Sequence, residues 1–149
     1  RPVEGVTGSE SDAGILDKLA KFGITPESVT LWGTGTPMRE FLWSEEMADA
    51  SVHVLLNVDF KDTYVTGSRD IRNCHINVGT GKEVSIREVA EIIMKEIGFK
   101  GILLWDSSKP DGTMRKLTDV SKLHSLGWHH KVEIDEGIER LYKWYLKGV

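Results

Sequence analysis

This 149-residue sequence is poor in cysteine, in proline and in long hydrophobic runs. Its one cysteine, Cys74, excludes an internal disulfide framework and a cysteine-rich zinc site, and it is typical of a reducing compartment. No window comes near the roughly 18 consecutive apolar residues that a transmembrane helix needs. The first residues also lack the apolar core of a signal peptide. We therefore expect a cytoplasmic protein that has no membrane partner.

Motifs that bind cofactors or catalyse hydride transfer are lacking as well. Neither G-x-G-x-x-G nor G-x-x-x-x-G-K-[ST] occurs, and no tyrosine is followed four residues later by lysine. The five histidines show no metal-ligand spacing, and no G-x-S-x-G elbow is present. We therefore assign no catalytic, cofactor-binding or metal-binding residue to this sequence. The opening residues resemble the interior of a longer chain, so we expect the sequence to be part of one.

The composition is that of a globular protein, with 40% hydrophobic and 28% charged residues. Periodicity and capping residues predict four to five helices, which start at Asp12, Ser44, Ser85, Asp119 and just before Ile138. Strands are predicted at residues 29–32, 74–78 and 101–105, because apolar and β-branched residues are concentrated there. Alternation of strands and helices predicts an α/β fold with few strands, too few for a complete doubly wound domain.

Two helices have apolar stripes that predict which face is buried. In the helix that starts at Ser44, the predicted buried face consists of Met47, Ala48, Ser51, Val54 and Leu55. In the last helix, the spacing i, i+3, i+4, i+7 predicts that the buried stripe consists of Ile138, Leu141, Tyr142 and Tyr145.

Charge is distributed unevenly along the chain. The net charge is −4, yet residues 100–131 contain six lysines and arginines against three aspartates. An acidic protein with one basic segment argues against nucleic-acid binding, which requires a broad positive surface. It suits a small anionic ligand better, although an accidental clustering of solvated charges explains the composition equally well.

The turn between Trp32 and Arg39 is the first candidate binding feature. Gly33 and Gly35 allow a ligand to approach the backbone, the indole of Trp32 offers a flat apolar face, and the guanidinium of Arg39 can bind two phosphate oxygens. The alternative is a structural turn with a packed tryptophan and a surface arginine.

A second candidate is the turn at residues 108–116, which contains Lys-Pro-Asp-Gly. It presents Asp111 as an acceptor for ligand hydroxyl groups and Arg115 or Lys116 as partners for phosphate. The alternative is an ordinary solvated loop.

Taken in order along the chain, four segments resemble one family. They are Val-Thr-Leu-Trp-Gly-Thr-Gly-Thr-Pro-Met-Arg-Glu-Phe-Leu-Trp at 29–43, His-Ile-Asn-Val-Gly-Thr-Gly-Lys-Glu-Val-Ser-Ile-Arg-Glu at 75–88, Ser-Lys-Pro-Asp-Gly-Thr-Met-Arg-Lys-Leu at 108–117 and Leu-Gly-Trp at 126–128. They look like the C-terminal part of the GDP-sugar epimerase-reductases, which are extended short-chain dehydrogenases/reductases of the NAD-dependent epimerase/dehydratase family. The resemblance extends from about residue 29 to the end of the chain.

This resemblance implies a small C-terminal substrate-binding lobe from which the Rossmann domain is absent. It implies that residues 29–149 form a domain that binds a GDP-sugar substrate, and that residues 1–28 are an insertion-like flexible lead-in with a short helix. By resemblance, the substrate-binding residues are Trp32, Arg39, Asp111 and Lys116.

The family's remaining functions fall outside this sequence. NADP(H) and the catalytic residues would belong to an N-terminal Rossmann domain, and the full-length enzyme would be a homodimer. Cys74 and His75 do not lie where the family places its epimerisation residues. Two alternatives stay open: the equivalent lobe of another nucleotide-sugar epimerase or dehydratase, and a stand-alone binding module without catalysis.

Overall fold

The computed structural model describes residues 6–7, 9–65, 67 and 70–148, so the start of the predicted lead-in, residues 1–5 and 8, lies outside the described residues. The chain divides into two compact units: unit 1 comprises residues 1–37 and 85–114, and unit 2 comprises residues 38–84 and 115–149. Across the described ranges, no helix is both long enough and apolar enough to span a bilayer. Five α-helices and five short strands are described, which confirms the prediction of an α/β class with few strands.

Unit 1 is built on two parallel strands. Strand β1 (Ser28–Trp32) pairs with β4 (Ile102–Asp106) in a register that aligns Ser28 with Ile102 and Trp32 with Asp106. The unit also contains helices α1 (Asp12–Ala20) and α3 (Ile86–Glu96). A parallel pair needs a long connection between its strands, and here α3 lies in the part of that connection that belongs to unit 1.

Both helices of unit 1 begin at residues with capping side chains. The predicted capping box of α3 is confirmed: Ser85 Oγ accepts from Glu88 N at 3.1 Å, and Glu88 Oε2 accepts from Ser85 N at 2.8 Å. In α1 the predicted cap was one residue too late. Ser11 Oγ accepts from Gly14 N at 3.3 Å, and Asp12 is instead the first helical residue, where its charge favours the helix N-terminus.

Unit 2 contains the other three helices and a second pair of parallel strands. Its helices are α2 (Ser44–Asn57), α4 (Ser121–Ser125) and α5 (Ile134–Gly148), and a short 3₁₀ helix spans Phe60–Thr63. Strand β2 (Met38–Arg39) pairs with β5 (Arg115–Lys116), and strand β3 (Val84–Ser85) lies where the chain returns to unit 1.

The core of unit 2 is small and surrounds Trp128. Ala50 and Leu123 are fully buried and Trp128 is 4% exposed. The indole N–H of Trp128 donates to Asp49 Oδ2 at 2.8 Å, so the one polar atom of this ring is satisfied inside the core. Partly buried apolar residues complete the cluster: Leu42, Val54, Ile76 and Val78.

Two predictions about the elements of unit 2 were wrong. Residues 74–78 form no strand, although Ile76 and Val78 of that segment do pack on the core. The predicted buried face of α2 is rotated: Glu46 and Ala50 are buried, whereas Leu55 is 80% exposed. The Oε1 atom of buried Glu46 accepts hydrogen bonds from Lys131 N and Val132 N. A hydrophobic periodicity does not reveal a buried carboxylate that accepts hydrogen bonds from distant backbone amides.

The apolar stripe of α5 is also less buried than predicted. Leu141 is 54% exposed and Tyr145 is 56% exposed, and Trp144 beside them is 69% exposed. The helix is supported by two ion pairs at spacing i, i+4, one between Glu136 and Arg140 and one between Glu139 and Lys143.

Leu123→Ala and Leu141→Ala should therefore differ in their effect on stability. Leu123 is fully buried, and its truncation leaves a cavity that should cost about 2–5 kcal/mol of unfolding free energy. Leu141 is half exposed, so its truncation should cost about 1 kcal/mol or less. Urea unfolding followed by tryptophan fluorescence measures both changes. Equal losses in the two variants would contradict this description of the core.

Three histidines of unit 2 lie close together. The rings of His124 and His129 stack with their centroids 4.2 Å apart, and His130 Nε2 lies 3.4 Å from Glu133 Oε1. Burial lowers the pKa of His124, and the neighbouring His129 and His130 lower it further. His124 Nε2 is buried without a hydrogen-bond partner, so a proton there would have no acceptor.

Stability should therefore depend on pH through His124. Above its ordinary pKa of about 6.5, His124 is neutral in both the folded and the unfolded chain and contributes no pH dependence. Below that pH the unfolded chain binds the proton and the folded chain resists it, so the folded state loses stability as the pH falls. We expect urea midpoints to fall from pH 7.5 to pH 5.5, and to fall less in His124→Gln. The same pH dependence in both proteins would contradict the prediction.

Candidate functional site

A glycine turn follows strand β1 in unit 1. Gly33 and Gly35 have φ angles of 79° and 76°, in the left-handed region that glycine adopts without strain. A side chain at Gly35 would meet the ring of Trp105, since a Cβ there would lie 2.6 Å from its Cη2 atom. Glycine is therefore required at Gly35 both by conformation and by packing.

The carboxylate of Asp111 holds this turn. Its Oδ1 accepts from Thr34 N at 2.9 Å, and its Oδ2 accepts from Thr34 Oγ1 at 2.7 Å. These two hydrogen bonds, the side-chain one first, lower the pKa of Asp111. Asp111 thus orders the turn that directly follows Trp32. Its predicted contact with substrate stays a prediction.

The side chain of Arg87 supports the turn by binding a main-chain carbonyl of the turn. Its guanidinium lies over the ring of Trp105, with Cζ 4.5 Å from the ring centroid, and its Nη2 donates to Thr34 O at 2.7 Å. Arg87 was not predicted as part of a site, although a cation in the first turn of α3 is disfavoured by the helix dipole. The only signal was this place next to the capping box.

Trp32 itself is open to solvent. Its side chain is 75% exposed, and Lys109 Nζ lies 5.6 Å from its ring centroid. The predicted alternative of a packed tryptophan is therefore wrong. An exposed indole beside an ammonium group provides an apolar face with a positive charge next to it.

Unit 2 contains a basic cleft, defined here by Arg39, Glu40, Arg115, Lys116, Leu117 and Thr118. The cleft has a volume of about 480 Å³. Arg39 and Lys116 are partners in the register of β2 with β5, so two predicted substrate-binding residues lie side by side although they are 77 positions apart in the sequence. Three cations and one carboxylate line a space large enough for a phosphorylated ligand.

The cations of the basic cleft differ in how they are held. Arg39 Nη1 donates to the carbonyl oxygen of Met38 at 2.7 Å. The two carboxylates that could have neutralised Arg39 are engaged elsewhere: Glu40 accepts from backbone amides, and Glu45 accepts from the indole of Trp43. Arg115 is bound by Glu83, which raises the pKa of the guanidinium, at an Nη2–Oε1 distance of 2.7 Å.

Glu40 is the most connected residue of the basic cleft. Its Oε1 accepts from Thr80 N at 2.7 Å and from Gly81 N at 2.6 Å, and its Oε2 accepts from Thr118 N at 3.0 Å. Burial raises the pKa of Glu40, but the hydrogen bonds from Thr118, Gly81 and Thr80 outweigh it and hold this pKa below its usual value. Glu40 was not predicted as part of a site. Its position directly after Arg39 was the available signal.

The four predicted site residues thus fall into two pairs. Trp32 and Asp111 belong to unit 1, where Asp111 contacts the turn after Trp32, and Arg39 and Lys116 belong to unit 2, where they share the basic cleft. Among the residues that the structure describes, no group of three or more His, Cys, Asp or Glu side chains could hold a metal ion.

Comparisons with known proteins identify what this chain is similar to. A GDP-L-fucose synthase of Escherichia coli strain K12 is 46% identical over 120 residues, which are 80% of this chain and 36% of that protein. GDP-L-fucose synthase 1 of Arabidopsis thaliana is 50% identical over 123 residues, which are 83% of this chain and 34% of that protein.

A solved structure shares the fold. It is a GDP-D-glycero-L-gluco-heptose synthase of Campylobacter jejuni, determined in the presence of NADPH. It matches with a TM-score of 0.80 and 42% identity, covering 92% of this chain and 38% of that one. The chain therefore spans about a third of the length of the relatives that it matches.

The family model described as NAD dependent epimerase/dehydratase family matches residues 3–79, which is just over half of the chain. The match includes the glycine turn, strand β2 and helix α2. On this match, the chain belongs to the NAD-dependent epimerase/dehydratase family.

Proposed function

We propose that this chain is the substrate-binding part of a GDP-L-fucose synthase. Such an enzyme epimerises GDP-4-keto-6-deoxy-D-mannose at C3 and C5 and reduces C4 with NADPH, giving GDP-L-fucose. The observation that carries the proposal is the basic cleft of Arg39, Arg115 and Lys116, found in a chain that is 46–50% identical to GDP-L-fucose synthases over four-fifths of its length.

In this proposal the basic cleft binds the diphosphate. Arg39 has no carboxylate partner within the described residues, so its guanidinium is available to form two parallel hydrogen bonds with phosphate oxygens. Lys116 adds a charge without this bidentate geometry. Arg115 is already bound to Glu83, so it contributes less to phosphate binding unless that ion pair opens.

Trp32 and Asp111 form a second proposed binding feature, which lies within unit 1. The exposed indole of Trp32 offers an apolar face on which a sugar ring can pack, with Lys109 beside it. Asp111 keeps acceptor capacity for a sugar hydroxyl, because each carboxylate oxygen binds only one hydrogen of Thr34. We accordingly propose that residues 29–149 form the nucleotide-sugar substrate-binding domain and that residues 1–28 form an insertion-like lead-in.

We assign NADP(H) to a separate Rossmann domain of the full-length protein. The glycine turn does not suit a cofactor phosphate, because the amide of Thr34 already donates to the negatively charged Asp111. The chemistry that NADPH supplies is hydride transfer. The residues of this chain would position the ketone against the cofactor and exclude water from it. We also propose that the full-length enzyme is a cytoplasmic homodimer.

The proposal is tested by NADPH oxidation in the full-length protein. We expect oxidation with GDP-4-keto-6-deoxy-D-mannose and none with UDP-4-keto-6-deoxy-D-glucose, which offers NADPH the same kind of ketone on another nucleotide. A UDP-sugar-specific protein would be another epimerase of the family, and binding of GDP without any NADPH oxidation would indicate a non-catalytic module. Either result would overturn the proposal.

Arg39→Ala in the full-length protein should weaken GDP binding by about ten- to a hundredfold, because a charge-assisted contact contributes roughly 1.5–3 kcal/mol. Lys116→Ala should have a smaller effect, since an ammonium group binds phosphate through a single point. Calorimetric titration with GDP measures both.

The matched control is Arg140→Ala, which removes the same charge from an exposed ion pair on α5. GDP affinity should not change in this control, and melting temperatures should stay close to that of the unmodified protein in all three variants. A lowered melting temperature together with unchanged GDP affinity in Arg39→Ala would show that Arg39 is structural.

A further inference from the structure

We infer that Glu40 is the positioning residue of the basic cleft. It acts by fixing three backbone amides near the strands that carry Arg39 and Lys116, although its own negative charge repels an anion. This inference rests on the proposed function, because it concerns how the same cleft holds a diphosphate.

Glu40 connects three segments of unit 2 by hydrogen bonds. It follows strand β2 directly, it binds the amides of Thr80 and Gly81, and it binds the amide of Thr118, two residues after the end of β5. Residues 79–81 and 117–118 lie outside helices and strands, so they lack the regular hydrogen bonds that would otherwise fix them. The carboxylate supplies those bonds.

Only an ionised carboxylate can accept hydrogen bonds from all three amides with both of its oxygens. All three backbone groups are donors, and an ionised carboxylate is an acceptor at both oxygens. Glutamine would place an NH₂ group against at least one backbone N–H, so that donor faces donor. Aspartate would keep the charge but shorten the side chain by one methylene group, which moves the carboxylate away from its partners.

Gly79 shows that the space around this carboxylate is filled. A Cβ at Gly79 would lie 2.4 Å from Glu40 Oε1 and 2.8 Å from its Cδ. The φ angle of Gly79 is not positive, so it does not demand glycine, and the three atoms nearest to such a Cβ all belong to the Glu40 side chain. Gly79→Ala therefore displaces the carboxylate while every charge is retained.

Replacement of Glu40 and replacement of Glu83 should change the affinity for GDP in opposite directions. Glu83 binds Arg115, with Nε to Oε2 at 2.9 Å, and forms none of the backbone bonds that Glu40 forms. Glu83→Gln frees a guanidinium and removes a negative charge, so it should strengthen binding of GDP by about two- to fivefold. Simple electrostatics predicts the same gain for Glu40→Gln. A positioning role for Glu40 predicts that Glu40→Gln binds GDP more weakly.

The experiment is titration of GDP into the full-length protein and its variants. We expect Glu40→Gln, Glu40→Asp and Gly79→Ala each to weaken binding by about tenfold or more, because a displaced guanidinium loses its charge-assisted hydrogen bonds to the diphosphate. The double variant Glu40→Asp/Gly79→Ala should lose less than the product of the two single losses, since both act on one contact.

Two further measurements separate positioning from a general loss of stability. Val54→Ala, in the core of unit 2, should lower the melting temperature without changing GDP affinity below it. In ¹⁵N-labelled protein, Glu40→Asp should shift the amide signals of Thr80, Gly81 and Thr118. It should also reduce the change that GDP causes in the Nε–H signal of Arg39.

The outcomes distinguish this inference from the proposed function. If the unmodified protein does not bind GDP, or Arg39→Ala binds it unchanged, the proposed function fails. If both behave as expected while Glu40→Gln binds GDP more tightly, or Glu40→Asp and Gly79→Ala bind it unchanged, the positioning role of Glu40 is wrong. Should Glu40→Gln fail to fold, Gly79→Ala decides alone.

Discussion

Carboxylates that accept hydrogen bonds from loop amides are the constraint on which unit 2 depends. Much of this unit is irregular backbone, and each partly buried amide there needs an acceptor. Glu46 takes the amides of Lys131 and Val132 just before α5, and Glu40 takes those of three residues around the basic cleft. Charged acceptors form stronger hydrogen bonds than neutral ones. These two glutamates therefore supply the acceptors that neighbouring strands would supply in a larger sheet.

A carboxylate also holds the glycine turn of unit 1. Asp111 binds the amide and hydroxyl of Thr34, and Arg87 binds its carbonyl oxygen, so both main-chain polar groups of this residue are held. Trp32 stays exposed immediately before this fixed turn. Because this backbone is already ordered, a ligand bound at Trp32 as proposed would require no further ordering of the turn.

Packing against the described residues explains the core of unit 2 but not the apolar faces of its long helices. Leu55 and Leu56 of α2 are 80% and 74% exposed, and Trp144 of α5 is 69% exposed. Helix α5 is instead supported by ion pairs one turn apart, each worth only about 0.2–0.5 kcal/mol. The stability of unit 2 is therefore concentrated in the few residues around Leu123 and Trp128.

The sequence by itself determined the local features: the strands at Val29 and Ile102, the capping box at Ser85, and the glycines of the turn. Each depends on neighbours within a few residues, which a linear pattern contains. Arg39 and Lys116 were each predicted as phosphate partners from their turns and by resemblance, but their pairing across 77 positions was decided by tertiary structure. The roles of Glu40 and Glu46, and the exposure of Leu55 and Leu141, were decided there too. They depend on which distant amides and side chains lie opposite, and hydrophobic periodicity does not record that.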